Sequence, residues 1–183
     1  MIDLTTIDNS WTLFLDRDGV INHEKQEDYI HTWDEFNFYE GVTEAIASFT
    51  KKFRYIIVIT NQRGIGKGVT RLSDVEMIHK NMAAEIEKAG GRIDAVYFCP
   101  DTDMNSADRK PNTGMGLQAI KDFPGIDLDK SIMVGNTASD MQFGRNLGIK
   151  TIFLPTTRPE VDLADSRIDA VYDSLLSFAN ALR

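Results

Sequence analysis

The run Tyr55-Ile56-Ile57-Val58-Ile59-Thr60 constrains the fold more than any other stretch. Four β-branched apolar residues follow one another with no polar alternation. A strand with one face in water would alternate, so this one must be covered on both faces, as in a parallel sheet flanked by helices. Similar runs recur at Thr12–Asp16, Ile93–Phe98, Ser131–Gly135, Lys150–Leu154 and, more weakly, Ile168–Tyr172. Between them lie segments with apolar residues at helical spacing. Val42, Ala45, Ile46 and Phe49 mark one helix over Gly41–Lys52, and Val75, Ile78, Met82 and Ile86 mark a second. Ser73-Asp74-Val75-Glu76 has the spacing of a capping box at the start of that second helix. Gly114–Asp122, Ala138–Leu147 and Ser174–Leu182 read as further helices. Parallel strands need crossover connections, and helices supply them here. The expected fold is therefore α/β, a doubly wound, mainly parallel sheet of five to six strands.

With 183 residues the chain is long enough for one domain with a real core, and a single domain over residues 1–183 is expected. The only sizeable excursion near the first strand runs over about residues 20–40. That is enough for a flap and short for a cap domain. A polar Gly-rich loop is expected over Asn61–Gly68, and another loop over Cys99–Arg109. The acids Asp162, Asp165, Asp169 and Asp173 read as a solvated face, and His79 as a structural residue of its helix. The net charge of −8 argues against broad binding to nucleic acid or anionic membrane. No apolar run approaches the roughly 20 residues that cross a bilayer. With one cysteine and no secretory signal, a cytoplasmic monomer is the expectation.

Four features stand at expected strand ends and would share one edge of a parallel sheet. They are Asp16 with Asp18, Thr60 with Asn61, Arg109-Lys110-Pro111, and Gly135-Asn136 with Asp140. Open α/β sheets bind ligands at that edge. The residue types point to phosphoryl transfer. One carboxylate attacks phosphorus and a second moves the proton. A hydroxyl and an ammonium hold the non-bridging oxygens. A magnesium ion, which takes few carboxylates plus waters and phosphate, offsets the charge.

These four stretches, in this order, resemble the motifs of the haloacid-dehalogenase-like phosphatases. Leu15-Asp16-Arg17-Asp18-Gly19-Val20-Ile21-Asn22 is similar to the first, Ile59-Thr60-Asn61-Gln62 to the second, Arg109-Lys110-Pro111-Asn112-Thr113-Gly114-Met115 to the third, and Val134-Gly135-Asn136 through Asp140 to the fourth. Tyr29-Ile30-His31, Phe36-Asn37-Phe38 and Glu40-Gly41-Val42 add a likeness to the capless branch of heptose-bisphosphate and histidinol-phosphate phosphatases. The resemblance implies a Rossmann-like fold and hydrolysis of a small phosphorylated metabolite through an aspartyl-phosphate. It makes Asp16 the nucleophile and a magnesium ligand. It makes Asp18 the general acid/base, with its carbonyl on the metal. Thr60, Asn61 and Lys110 would hold the phosphate, Arg109 would contact substrate, Asn136 would complete the metal site, and Asp140 would orient Lys110 or a metal-bound water.

Two departures stand out against that pattern. Asn136 replaces the aspartate that usually follows the glycine of the fourth motif, which leaves the metal one negative charge short. The loop over about residues 99–109 lacks the relatives' zinc set. Cys99-Pro100-Asp101 with Ser106 and Asp108 offers one thiolate where structural zinc takes four sulfur or nitrogen ligands, so no zinc is expected. A sugar phosphate such as a heptose bisphosphate is the first substrate expected, and histidinol phosphate the second. A polynucleotide 3′-phosphatase and a regulatory protein without turnover are the other readings.

Overall fold

The computed structural model describes residues 2–157, 162 and 164–182. Six strands form one sheet: β1 (Thr12–Leu15), β2 (Tyr55–Asn61), β3 (Ala95–Cys99), β4 (Ser131–Gly135), β5 (Lys150–Phe153) and β6 (Ala170–Val171). Their order is β3-β2-β1-β4-β5-β6, and every pairing is parallel. The helices are α1 (Val42–Thr50), α2 (Arg63–Gly66), α3 (Leu72–Lys88), α4 (Gly114–Asp122), α5 (Ala138–Leu147) and α6 (Leu175–Ala181). The expected doubly wound α/β fold is present.

Successive residues of a strand point to opposite faces, and here both faces are apolar. Leu13 and Leu15 of β1, Ile56 and Val58 of β2, and Ile132 and Val134 of β4 join the core beneath α1, α3 and α6. Phe14, Ile57, Ile59 and Met133 point the other way, onto Met115 and Ala119 of α4 and Phe143 and Leu147 of α5. This two-sided burial explains the lack of alternation in β2. It also sets the register: Leu15 pairs with Val58 on one side and Val134 on the other, so β1 and β4 end within a residue of each other while β2 runs three residues further, to Asn61.

Chain order reverses at β1, which lies between β2 and β4. A crevice opens outside the carboxyl ends of the strands at such a switch point. Asp16 sits there, one residue past β1, with its N–H donating to the Val134 carbonyl at 3.0 Å.

Three local readings are corrected. The capping box at Ser73 does not form. Helix α3 begins two residues earlier than such a box would start it, at Leu72 with extended Arg71 at its N-cap, so Ser73 already lies in the first turn. The Gly-rich stretch is not loop throughout, since Arg63–Gly66 closes into a single helical turn. Asp169 is not part of a solvated face: its carboxylate accepts from Arg145 Nη2 and from the Thr151 N–H, both at 2.9 Å, and so ties α5 to β5. Among the described residues, no helix is long and apolar enough to cross a membrane.

Candidate active site

Burial at the floor of the crevice forces charges into pairs, because a lone charge out of water is costly. Lys110 is almost wholly inaccessible. Its ammonium meets Asp16 Oδ1 at 2.8 Å and Asp140 Oδ1 at 2.6 Å. Asp140 is fixed in turn by the start of α5. Its other oxygen accepts from the N–H groups of Asn136 (3.2 Å) and Thr137 (3.0 Å) and from the Thr137 hydroxyl (2.7 Å). Thr137 and Asp140 form a capping box. Gly135 lets this helix start approach the sheet, since a Cβ there would fall 2.2 Å from Asp140 Cβ.

Asp16 also accepts from the Arg17 N–H at 2.8 Å. Burial first, and the Asp140 charge next, push its carboxyl up to about 7, against the pull of Lys110. Asp18 is in the opposite condition. Burial would raise it, but the Arg17 guanidinium outweighs burial, together with hydrogen bonds from Asn22 and Gln62, and the net shift is downward. Arg17 reaches Asp18 through Nε at 3.2 Å and through Nη2 at 2.7 and 2.8 Å. Asn22 Nδ2 donates to Oδ1 at 2.9 Å, and Gln62 Nε2 to Oδ2 at 3.0 Å. The same Gln62 amide donates to Thr60 Oγ1 at 2.9 Å, so one side chain spans the ends of β1 and β2.

Asn61 was expected to bind phosphate through its side chain. Both ends of that amide are instead engaged by the backbone of Lys110: Oδ1 accepts its N–H at 3.0 Å and Nδ2 donates to its carbonyl at 3.1 Å. The side chain therefore fastens the loop carrying Lys110 to the end of β2. Asn136 is fully buried beneath Gly19, where a Cβ would fall 2.0 Å from its Nδ2. Gly19 also has φ +82, in the region that favours glycine. Asn136 Nδ2 donates to Thr157 Oγ1 at 2.6 Å, while its Oδ1 is buried with no partner. Arg109 donates Nη1 to the Asp101 carbonyl at 3.1 Å, and its buried Nε has no partner.

Asp16, Asp18, Thr60, Asn61, Arg109, Lys110 and Asp140 all line one cleft of about 1060 Å³, and Asn136 lies below it. The flap supplies Glu24 to Ile30 along one side of the mouth, and Met104 of the loop before Arg109 reaches the same cleft. That loop is held by hydrogen bonds. Ser106 Oγ donates to Asp101 Oδ2 at 2.5 Å, and Asn112 Nδ2 donates to the Ser106 carbonyl at 2.8 Å. Cys99 is fully buried at its root, where burial pushes the thiol up.

Sequence reasoning missed Arg17, Asn22, Gln62, Arg63 and Lys67. No spacing marks Gln62: it lies just past the end of β2, and its contacts depend on where its side chain turns. Arg63 and Lys67 line the cleft beside Arg109, and the nearby Arg63 charge adds to burial in lowering the Arg109 pKa. None of these three cations forms an ion pair among the described residues.

Comparisons with known proteins agree with this geometry. The family model "Polynucleotide kinase 3 phosphatase" matches residues 10–174. The chain is 32% identical over 175 residues to a D-glycero-alpha-D-manno-heptose-1,7-bisphosphate 7-phosphatase of Mycobacterium bovis, covering 95% of this chain and 92% of the relative. It is 33% identical over 181 residues to the D-glycero-beta-D-manno-heptose-1,7-bisphosphate 7-phosphatase of Escherichia coli, covering 93% of each. Its fold superposes with a TM-score of 0.85, at 28% identity over 94% of this chain and 97% of the other, on the D,D-heptose 1.7-bisphosphate phosphatase of B. bronchiseptica, crystallised with magnesium and phosphate. With its catalytic-type aspartates at the switch point, its lysine held between carboxylates and a family match spanning most of its length, the chain belongs to the haloacid-dehalogenase-like phosphatases.

Proposed function

We propose that the protein is a magnesium-dependent phosphomonoesterase that hydrolyses a small sugar phosphate, a heptose 1,7-bisphosphate first among them, through a phosphoryl group carried on Asp16. The observation that carries this reading is Lys110, held between Asp16 and Asp140 at the floor of a cleft that also contains Thr60 and Asp18. Asp16 attacks phosphorus while the ester oxygen leaves with a proton from Asp18, whose depressed pKa the negative charge of the bound phosphate raises. Water then attacks the phosphoryl-aspartate and gives one of its protons to Asp18, which is thereby reprotonated, and phosphate departs to free Asp16. Lys110 and the Thr60 hydroxyl stabilise the charge on the phosphoryl oxygens.

The donor set fits a hard cation that prefers oxygen. It comprises the Asp16 carboxylate, the Asp18 carbonyl and the buried, unpartnered Oδ1 of Asn136. Magnesium would supply charge neutralisation between two anions and favour the ionised nucleophile. Asn136 contributes an oxygen and no charge, so a binding weaker than that of an aspartate site follows.

Arg63, Lys67 and Arg109 favour a substrate with a second anionic group beyond the scissile phosphate. None of the three is ion-paired among the described residues, and like charges gathered on one side of a cleft are stabilised by an anion that enters. The relatives' names cover both anomers of the heptose bisphosphate, so both belong in the test. The assay is phosphate release with Mg²⁺ from the two anomers, histidinol phosphate and a 3′-phosphorylated oligonucleotide. The family model's name favours the last as a second reading. The net charge of −8 opposes it, since affinity for a polynucleotide rests on counter-ion release by many cations. A heptose bisphosphate is expected to be fastest by about 10-fold or more. A faster rate on the oligonucleotide would overturn the sugar-phosphate assignment. Release no faster than that of Asp16→Asn on every compound would overturn the enzymatic one.

A further inference from the structure

Among the described residues Arg17 is the largest fully buried side chain, and it lies between the nucleophile and the proposed acid/base. A buried guanidinium demands partners for its donors in a fixed planar fork. One edge of the fork, Nε and Nη2, is taken by Asp18. The remaining arm, Nη1, lies 3.1 Å from Nε2 of His79 on α3. Arginine has no lone pair to offer, so His79 Nε2 is the acceptor and the ring is neutral with its proton on Nδ1. Burial first, then the Arg17 charge, hold His79 down to about 3, which keeps the acceptor available at any working pH. The ring is itself fixed, 5.4 Å centroid to centroid from Phe98 on β3. His79 is thus a structural residue in position, as its helix setting implies, but its hydrogen bond leads through Arg17 to Asp18.

We propose that His79 is a positioning residue for proton transfer, acting through Arg17 to hold the Asp18 carboxylate at the angle from which it serves the ester oxygen and the attacking water. This rests on the assignment of Asp18 as acid/base. His79 makes no contact with the cleft, and only the angle of the Arg17 fork connects it to the reaction. If the His79 acceptor is removed, Nη1 is left buried and unpartnered, the guanidinium turns to find another acceptor, and the two bonds of Nη2 to Asp18 shorten or break unequally. The phosphate-binding groups Lys110 and Thr60 are untouched.

The test exploits leaving groups. An alkoxide needs a proton to depart, while 4-nitrophenolate does not, and kcat/KM reports the steps up to release of the first product. The alkyl substrate is the fastest alkyl phosphate of the panel above. His79→Phe keeps a ring against Phe98 and removes the acceptor; His79→Leu is the second variant should the first fail to fold. Either is expected to lower kcat/KM for the alkyl phosphate by about 10- to 100-fold, within the range of acid–base contributions. For 4-nitrophenyl phosphate the expected change is under about 3-fold, with KM for both substrates unchanged. His79→Gln, whose Oε1 can accept from Nη1, is expected to restore most of the loss. Equal losses on the two substrates, or no loss on the alkyl ester, would overturn the proposal. Asp18→Asn run alongside separates the two levels. If it spares the alkyl ester, the acid/base assignment itself fails. If it is selective while the His79 variants are not, only the positioning role fails.

Discussion

At the scale of single residues, Lys110 shows how stability and chemistry share one contact. Lys110→Met leaves Asp16 beside Asp140 with no cation between them. Activity is expected to fall by about 10³-fold or more, in the range of other lost electrostatic stabilisers of a transition state. The stability of the metal-free variant should carry a pH signature. Asp16 already titrates near 7 in the intact site, above its ordinary 3.8, so it contributes stability that is present at low pH and lost as pH rises through 7. Without Lys110 the Asp16 value rises further. Wild type and variant should therefore lose stability in parallel from pH 4 to 7, after which the variant alone continues to lose it toward pH 9. Urea denaturation at several pH values in a chelating buffer measures this, and a constant difference across that range would contradict the pairing. Asn136 is the second telling residue. Asn136→Asp places a charge where an unpartnered amide oxygen now lies, and the Mg²⁺ concentration for half-maximal rate is expected to fall about 10-fold. An unchanged metal requirement would remove Asn136 from the ligand set.

At the scale of elements, the sheet was the most legible part of the chain, because strands buried on both faces read as unbroken apolar runs. The bounds of β4, α4 and α5 match the sequence reading residue for residue. The start of α3 was misread because Ser73 and Glu76 have capping-box spacing, yet the helix already turns at Leu72. The working capping box lies at Thr137 and Asp140, where it does more than end a helix, since Asp140 also holds Lys110. Thr137→Ala should cost about 1 kcal/mol for the lost cap. For a chain of this length that is a fall in Tm of about 2–4 °C. It should also lower kcat, because Asp140 loses the hydroxyl that fixes one of its oxygens. A lowered Tm with unchanged kcat would confine the cap to stability.

At the scale of the whole molecule, the parallel sheet brings residues from widely separated stretches to one edge. The sequence could place Asp16, Thr60 and Asp140 at strand or helix ends by spacing, and Lys110 by its likeness to the third motif. It could not show that Arg17, Asn22 and Gln62 converge on Asp18, because those contacts depend on side-chain direction and not on spacing. Nor could it show that the Asn61 amide is turned to Lys110, or that His79, 62 residues from Arg17, completes the guanidinium's set of partners. The covalent role of Asp16 is the claim on which the rest depends. Acid quenching of the working enzyme with substrate and Mg²⁺, followed by mass spectrometry of its peptides, tests it directly. One added phosphoryl group is expected on the peptide carrying Asp16, and none in Asp16→Asn, which should also release no phosphate above background. Turnover by Asp16→Asn at the wild-type rate, with no adduct on the wild-type peptide, would contradict the account.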